Sequence, residues 1–194
     1  MSMIYGNKGQ RKYLTPSERD RFCRAALKLP LDEQTFCLTV VFSGCRLSEA
    51  LNLTGGQIDS EERAFVIRTL KKRRNDVYRV IPIPVWLLER VQLHYQPMSN
   101  YPERQLWPWS RTKGWMVIKR VMADAGIAGD HACPKGLRHA FGIAAIQKGI
   151  PLNLIQKWLG HSKIETTAIY ANAMGAEERQ IAQKMWTSLK SLAP

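Results

Sequence analysis

No stretch of this 194-residue chain approaches the ~20 consecutive apolar residues that a membrane-spanning helix needs; the longest candidate lies around Phe36 to Cys45. The opening residues, MSMIYGNKGQRKYLT, hold no apolar core of the kind a secretion signal carries. Cysteine is scarce and scattered. Cys23, Cys37, Cys45 and Cys133 show no CxxC spacing, which excludes a stapling disulfide framework. His131-x-Cys133 with His139 fits no common zinc spacing, so no metal site is expected. Nor is there a carboxylate cluster of the sort a two-metal nuclease requires. These gaps set aside a membrane protein, a secreted disulfide scaffold and a metal-dependent nuclease. Reduced thiols in a cytoplasmic protein are expected instead.

Positive charge is plentiful. The 29 Lys and Arg against 16 Asp and Glu leave a formal charge of +13 and a pI near 9.9, which favours a polyanionic partner, nucleic acid or an acidic membrane surface. Hydrophobic residues at 45% are enough for a buried core and exclude disorder by composition. There is no internal repeat and no low-complexity tract.

Residues 1–14 read as a loose basic arm carrying Lys8, Arg11 and Lys12. Order is expected from Thr15-Pro16-Ser17-Glu18, a capping box with Pro at the first helical position. Phe22, Ala25, Ala26 and Leu29 supply the apolar stripe of that helix. A more buried helix over about 33–43 stops at Gly44, and a short one holds Arg46 to Leu51. The period then changes. Ile58, Ala64–Ile67 and Val77–Ile83 predict three short strands, with Lys71, Lys72, Arg73 and Arg74 on the second turn and Pro82 and Pro84 closing the sheet. A helix follows around Trp86 to Leu93, then a loop rich in Pro and Trp (97–108), then a helix from Ser110 to about Ala125. Pro134 opens a helix that ends at Gly149, and Pro151 one that ends at Gly160. Ser162-x-x-Glu165 reads as the capping box of a helix containing Tyr170. A last helix over 176–191 places Ile181, Met185, Trp186 and Leu189 on one face. The fold class is therefore mainly α (α+β): one helical domain with a small three-stranded antiparallel sheet.

Several cations sit at breaks rather than on smooth outer faces. Arg46 follows Gly44-Cys45 between two apolar helices, Lys71 lies on the hairpin, Arg138 stands between Leu137 and Phe141, and His161 follows Gly160. A buried Arg requires a partner, because an unpaired buried charge costs several kcal/mol. Glu49, three residues after Arg46, is placed to hold its guanidinium. Taken singly, each of these is equally well a structural ion pair. Together they can converge on one phosphodiester, with Tyr170 nine residues beyond His161.

The stretches GCRLSEAL (44–51), KGLRHAFG (135–142) and LGHSKIETTAIYA (159–171), with the lysine hairpin, resemble the tyrosine recombinase (phage integrase) family over roughly residues 12–190. The resemblance implies that Tyr170 is the nucleophile that forms a 3′-phosphotyrosyl link with DNA. It implies further that Arg46 and Arg138 clamp the non-bridging oxygens and that His161 hydrogen-bonds the scissile phosphate. The hairpin lysine that protonates the leaving 5′-oxygen matches Lys71 best, with Lys72 adjacent. Lys135 stands where the family often has His, as a proton-transfer group or phosphate contact, although an unperturbed Lys titrates far above neutrality. Glu49 and His139 are expected to brace the site. Lys72, Arg73, Arg74, Arg111 and Lys113 are expected DNA contacts, and Trp107 and Trp109 are candidates to reach DNA. No cofactor is implied.

Most members carry a separate N-terminal DNA-binding domain, and only about 14 residues precede the first helix here. The chain therefore resembles the short stand-alone recombinases that invert promoter segments to switch fimbrial genes, with an excised domain or mobile-element remnant as the alternative. The resemblance implies double-stranded DNA with paired sites as partner, a tetramer assembled on it, and accessory DNA-bending proteins. The last helix is expected to pack either on a neighbouring protomer or on its own core. Two other readings stay open: a catalytically silent DNA-binding regulator, and a relaxing type IB topoisomerase.

Overall fold

A computed structural model describes residues 4–6, 8–69, 77–96, 99–171 and 182–183. The elements follow the predicted order. They are α1 (Pro16–Ala26), α2 (Leu31–Ser43), α3 (Leu47–Leu51), a 3₁₀ turn (Gly55–Gln57), β1 (Ile58–Asp59), β2 (Ala64–Arg68), β3 (Tyr78–Pro82), α4 (Val85–Tyr95), α5 (Arg111–Asp124), α6 (Pro134–Gln147), α7 (Leu152–Leu159) and α8 (Glu165–Ala168). The three strands form one antiparallel sheet in the order β1-β2-β3, with Phe65 opposite Ile81 and Val66 opposite Val80. Among the described residues, no helix is long and apolar enough to cross a membrane, and the four cysteines are unpaired.

The helix α2 is the centre of the packing. Thr35 through Val41 are all buried, and α1, α4, α5 and α6 lie against it. A helix apolar all round must be surrounded, and here it is. Its end is set by Gly44, whose φ of 60° lies in the left-handed region. A Cβ at that position would also fall 2.5 Å from the ring of Phe141, so glycine is required twice over. The α1 capping box forms as read, with the Thr15 hydroxyl accepting from the Glu18 N–H and the Glu18 carboxylate accepting from the Thr15 N–H.

Four expectations fail. The N-terminal segment is not loose over its described residues. Ile4, Tyr13 and Leu14 are buried, Tyr5 bridges Arg11 in antiparallel fashion, and Arg11 pairs with Glu18. The apolar residues among the basic ones supply that anchorage. The Ser162–Glu165 box does not form, because Ile164 is the N-cap of α8 and no side chain caps it. Tyr170 accordingly lies beyond α8, in the turn that follows. Finally, Trp107 is wholly buried against Phe36, with its indole N–H donated to Thr35, so it is core and not a DNA contact. The expected last helix over 176–191 lies outside the described residues, Ala182 and Gln183 apart, as do Lys71, Lys72, Arg73 and Arg74.

Candidate active site

The break after Gly44 turns the chain so that Arg46 caps α3 instead of continuing α2. Its backbone N–H donates to Glu49 Oε2 at 2.8 Å and its guanidinium to Glu49 Oε1 at 2.6 Å. Glu49 is buried, and its second oxygen also accepts from Arg79 at 2.6 Å. Burial acts to raise the Glu49 carboxyl, and the charges of Arg79 and Arg46 more than reverse that, holding it below the usual carboxylate range. One carboxylate thus serves two arginines.

Arg79 was not anticipated. It stands on the inner face of β3 beside Ile81, and its remaining donors go to the Trp158 carbonyl at 2.7 Å and the Thr69 hydroxyl at 2.9 Å. It joins the sheet, α3 and the end of α7. The alternation of β3 held the signal: Arg79 shares its face with Ile81 and Ile83, and a charge on an apolar face demands a partner.

Arg138 projects from α6 into the same space and is buried. Its partners are not anionic side chains but two helix-terminal carbonyls, Gly44 at 2.9 Å and Leu159 at 2.5 Å. Burial, reinforced by the nearby charge of Arg46, brings its guanidinium down to about 10. It remains charged at neutral pH with no acidic side chain paired to it among the described residues, which suits an incoming anion.

The α7 helix ends at Gly160, with φ 63° and Arg79 packed so close that a Cβ would meet its guanidinium at 3.1 Å. That turn presents His161, whose Nδ1 shares a hydrogen bond with the Thr167 hydroxyl at 2.9 Å. The ring of Tyr170 then stacks on His161, centroids 6.2 Å apart and 21° between planes. Its hydroxyl lies 3.1 Å from His139 Nδ1. Burial raises the phenol above its ordinary value, against the lowering influence of Arg138 and Arg46.

These groups share one cleft of about 490 Å³. Arg46, Lys135, Arg138, His139, His161 and Tyr170 all line it, with Arg111 and the exposed Trp115 among its other walls. Lys135 is exposed at the start of α6. Lys113 turns aside onto the Trp109 ring, 4.3 Å from its centroid, and is not part of the lining. Two side chains that sequence reasoning passed over, Arg79 and Thr167, hold Glu49 and His161 in place. The spacing between Thr167 and His161 gave no signal of their contact. His131, with its Nε2 3.3 Å from Glu18, braces the loop before α6.

The model of the phage integrase family matches residues 12–177. Among curated proteins, the tyrosine recombinase XerA of Thermococcus kodakarensis is 27% identical over 181 residues, covering 89% of this chain and 62% of that protein. The tyrosine recombinase XerD of Neisseria meningitidis serogroup B is 30% identical over 141 residues, covering 67% of this chain and 46% of that one. The chain thus spans about half to three fifths of these relatives. A crystal structure of XerA recombinase superposes with a TM-score of 0.74 at 20% identity, over 92% of this chain and 65% of that one. The recombinase XerH, bound to its difH substrate before cleavage, gives 0.70 at 20% identity, over 94% and 59%. Both share the fold described above.

Proposed function

The chain belongs to the phage integrase family, and from that premise we propose that it breaks and rejoins DNA at specific sites through a phosphotyrosyl link at Tyr170. The observation that carries the reading is the convergence of Arg46, Arg138, His161 and Tyr170 on one cleft. In the proposed step the Tyr170 oxygen attacks the scissile phosphorus and the bond to the 5′-oxygen breaks. Lys71 supplies the proton with which that oxygen leaves. The phenol proton passes to a base in the cleft. Negative charge gathers on the non-bridging oxygens, where two fixed guanidinia and His161 stabilise it more in the transition state than before. Arg suits the clamp because its planar fork can engage two oxygens at once. Lys135 contacts the phosphate from the rim, with Lys72, Arg73, Arg74, Arg111 and Lys113 along the DNA backbone.

Because cationic side chains do the charge work, the step requires neither metal nor ATP; the phosphotyrosine stores the bond energy for resealing. The proposed partner is double-stranded DNA with paired sites, on which the protein assembles as a tetramer with accessory bending proteins. The likeness to XerH on its difH substrate supports DNA as the partner.

Covalent capture tests the reading. Sheared genomic DNA of the source organism is incubated with wild type and with Tyr170→Phe, denatured, and the protein-linked fragments sequenced. Adducts clustered at one locus with wild type alone are expected, with DNA binding nearly intact in the variant. Adducts in both proteins would overturn Tyr170 as nucleophile. Adducts in neither, despite salt-sensitive binding, would favour a DNA-binding regulator, or an enzyme that needs a partner missing from the assay.

A further inference from the structure

His139 follows Arg138 on α6, so the two side chains leave the helix about 100° apart. Arg138 turns to the carbonyls of Gly44 and Leu159, and His139 turns to Tyr170. The imidazole meets the phenol ring edge-on, centroids 5.7 Å apart and 61° between planes. One turn further along α6, Gly142 forms the floor under the same ring, and a Cβ there would lie 2.6 Å from it. Tyr170 is only 1% exposed, and among the described residues His139 Nδ1 is the hydrogen-bond partner of its oxygen.

Which group donates is decided by the other ring nitrogen. Nε2 of His139 is buried with no hydrogen-bond partner among the described residues. Burial, with the nearby charges of Lys135, Arg138 and Lys12, holds the imidazole down to about 4, so it is neutral near pH 7 and carries one proton. A buried orphan N–H is rarer than a buried unsatisfied acceptor. A proton on Nδ1 leaves only a bare lone pair on Nε2, and the phenol hydrogen then turns into the cleft that Tyr170 lines, an outlet that Nε2 lacks.

We infer that His139 is a positioning residue for the nucleophile, donating a hydrogen bond from Nδ1–H to the Tyr170 oxygen. The inference rests on Tyr170 being the nucleophile only for its consequence, not for its geometry. With Nδ1–H as donor, the phenol's own hydrogen is left free to depart. The oxygen left behind keeps a donor, and that bond strengthens as charge develops on it. The low basicity of the buried imidazole suits it to donate here and not to take up the phenol proton.

The test reads the phenol directly and needs no DNA. Tyr170 alone is replaced by 3-fluorotyrosine, and its ionisation is followed by fluorine NMR as pH is raised, in the parent and in His139→Asn, His139→Gln and His139→Leu. The Asn amide nitrogen takes the place of Nδ1; the Gln amide takes that of Nε2. The charged groups facing the pair, Arg46, Lys135, Arg138, Lys12 and His161, are common to all four proteins. Losing a donor to the phenolate raises the midpoint by about one pH unit in the Leu and Gln variants. The Asn variant returns close to the parent. Equal midpoints, or a lower one in the Leu or Gln variant, would overturn the assignment, the latter by showing the phenol to be the donor. Should the Leu variant fail to fold, the contrast between Gln and Asn decides alone. The readout is separate from covalent capture: an absence of adducts tells against the recombinase reading and leaves this bond standing, and equal midpoints do the reverse.

Discussion

The two walls of the cleft are built on different principles. On the cationic wall Arg46, Arg138 and Glu49 are each tied more than once. Arg138 is fixed by two carbonyls, Arg46 by Glu49, and Glu49 in turn by Arg79, which reaches Thr69 and Trp158 as well. These anchors come from α2, α3, β3, α6 and α7, so the charges are set by the packing of the whole domain. On the wall that carries the proposed nucleophile, Tyr170 follows a four-residue helix, and its side chain is held by one hydrogen bond, two ring contacts, the floor at Gly142 and an apolar cluster. In the proposed reaction the charge that stabilises the transition state is prearranged, which is where most electrostatic catalysis comes from. The group proposed to reach the phosphorus is seated by packing and a single side-chain hydrogen bond. On the proposed roles, phosphate binding and nucleophile delivery are expected to separate by mutation.

The largest break in that comparison is Arg138→Ala. It removes one of two clamps and leaves the Gly44 and Leu159 carbonyls unpaired, so adduct formation on the captured DNA should fall by roughly 10³-fold. Arg138→Lys should restore little of it, since a point charge cannot serve two carbonyls and a phosphate in one plane. Next comes Glu49→Gln, which strips the carboxylate from buried Arg79 and half-buried Arg46 at once. A loss of about 3–5 kcal/mol in folding stability is expected by urea titration. A variant within 1 kcal/mol of wild type would show that the cationic wall is not held as described.

Much of this was legible beforehand. The Thr15–Glu18 box, the stop at Gly44, the strands and the Glu49 partner of Arg46 follow from local chemistry, which a sequence displays directly. The seat of each cation on a break told where charge would be needed. What stayed hidden was contact across long separations. Arg79 meets Glu49 from 30 residues away, and the Arg138 partners are carbonyls, which no side-chain pattern announces. Ile4 and Tyr13 were masked by the basic residues around them, and Trp107 by its Pro-rich loop. The Ser162 box failed because an apparent motif competed with Ile164 for the same helix start, and spacing alone cannot rank the two.

Gly142→Ala probes the wall that carries Tyr170. Its Cβ would overlap the Tyr170 ring, which must shift within its buried cluster to admit it. The expected result is about tenfold slower adduct formation with DNA affinity unchanged, since no cation moves. Equal losses of binding and cleavage would show the two walls to be coupled.

The smallest effect concerns the segment behind the nucleophile. Ile4 and Tyr13 belong to the same apolar cluster as Tyr170, Ile155 and Leu159, and Arg11 ties that segment to Glu18. The hydrogen bond from Arg11 outweighs burial and holds the Glu18 carboxyl down to about 2, with further help from the Thr15 N–H and His131. A carboxyl depressed by folding stabilises the native state above its unfolded value and loses that contribution as pH falls toward its folded one. Wild type should therefore exceed Glu18→Gln by about 1–2 kcal/mol at pH 7, after allowance for the solvent that reaches Arg11. The gap should close between about pH 4.5 and pH 2 in parallel urea titrations. Because Glu18 touches none of the cations of the cleft, the variant should bind DNA as wild type does while Tyr170 loses part of its support. No gap at pH 7 would mean that the segment is held by its apolar residues alone, and that the wall carrying Tyr170 owes nothing to this ion pair.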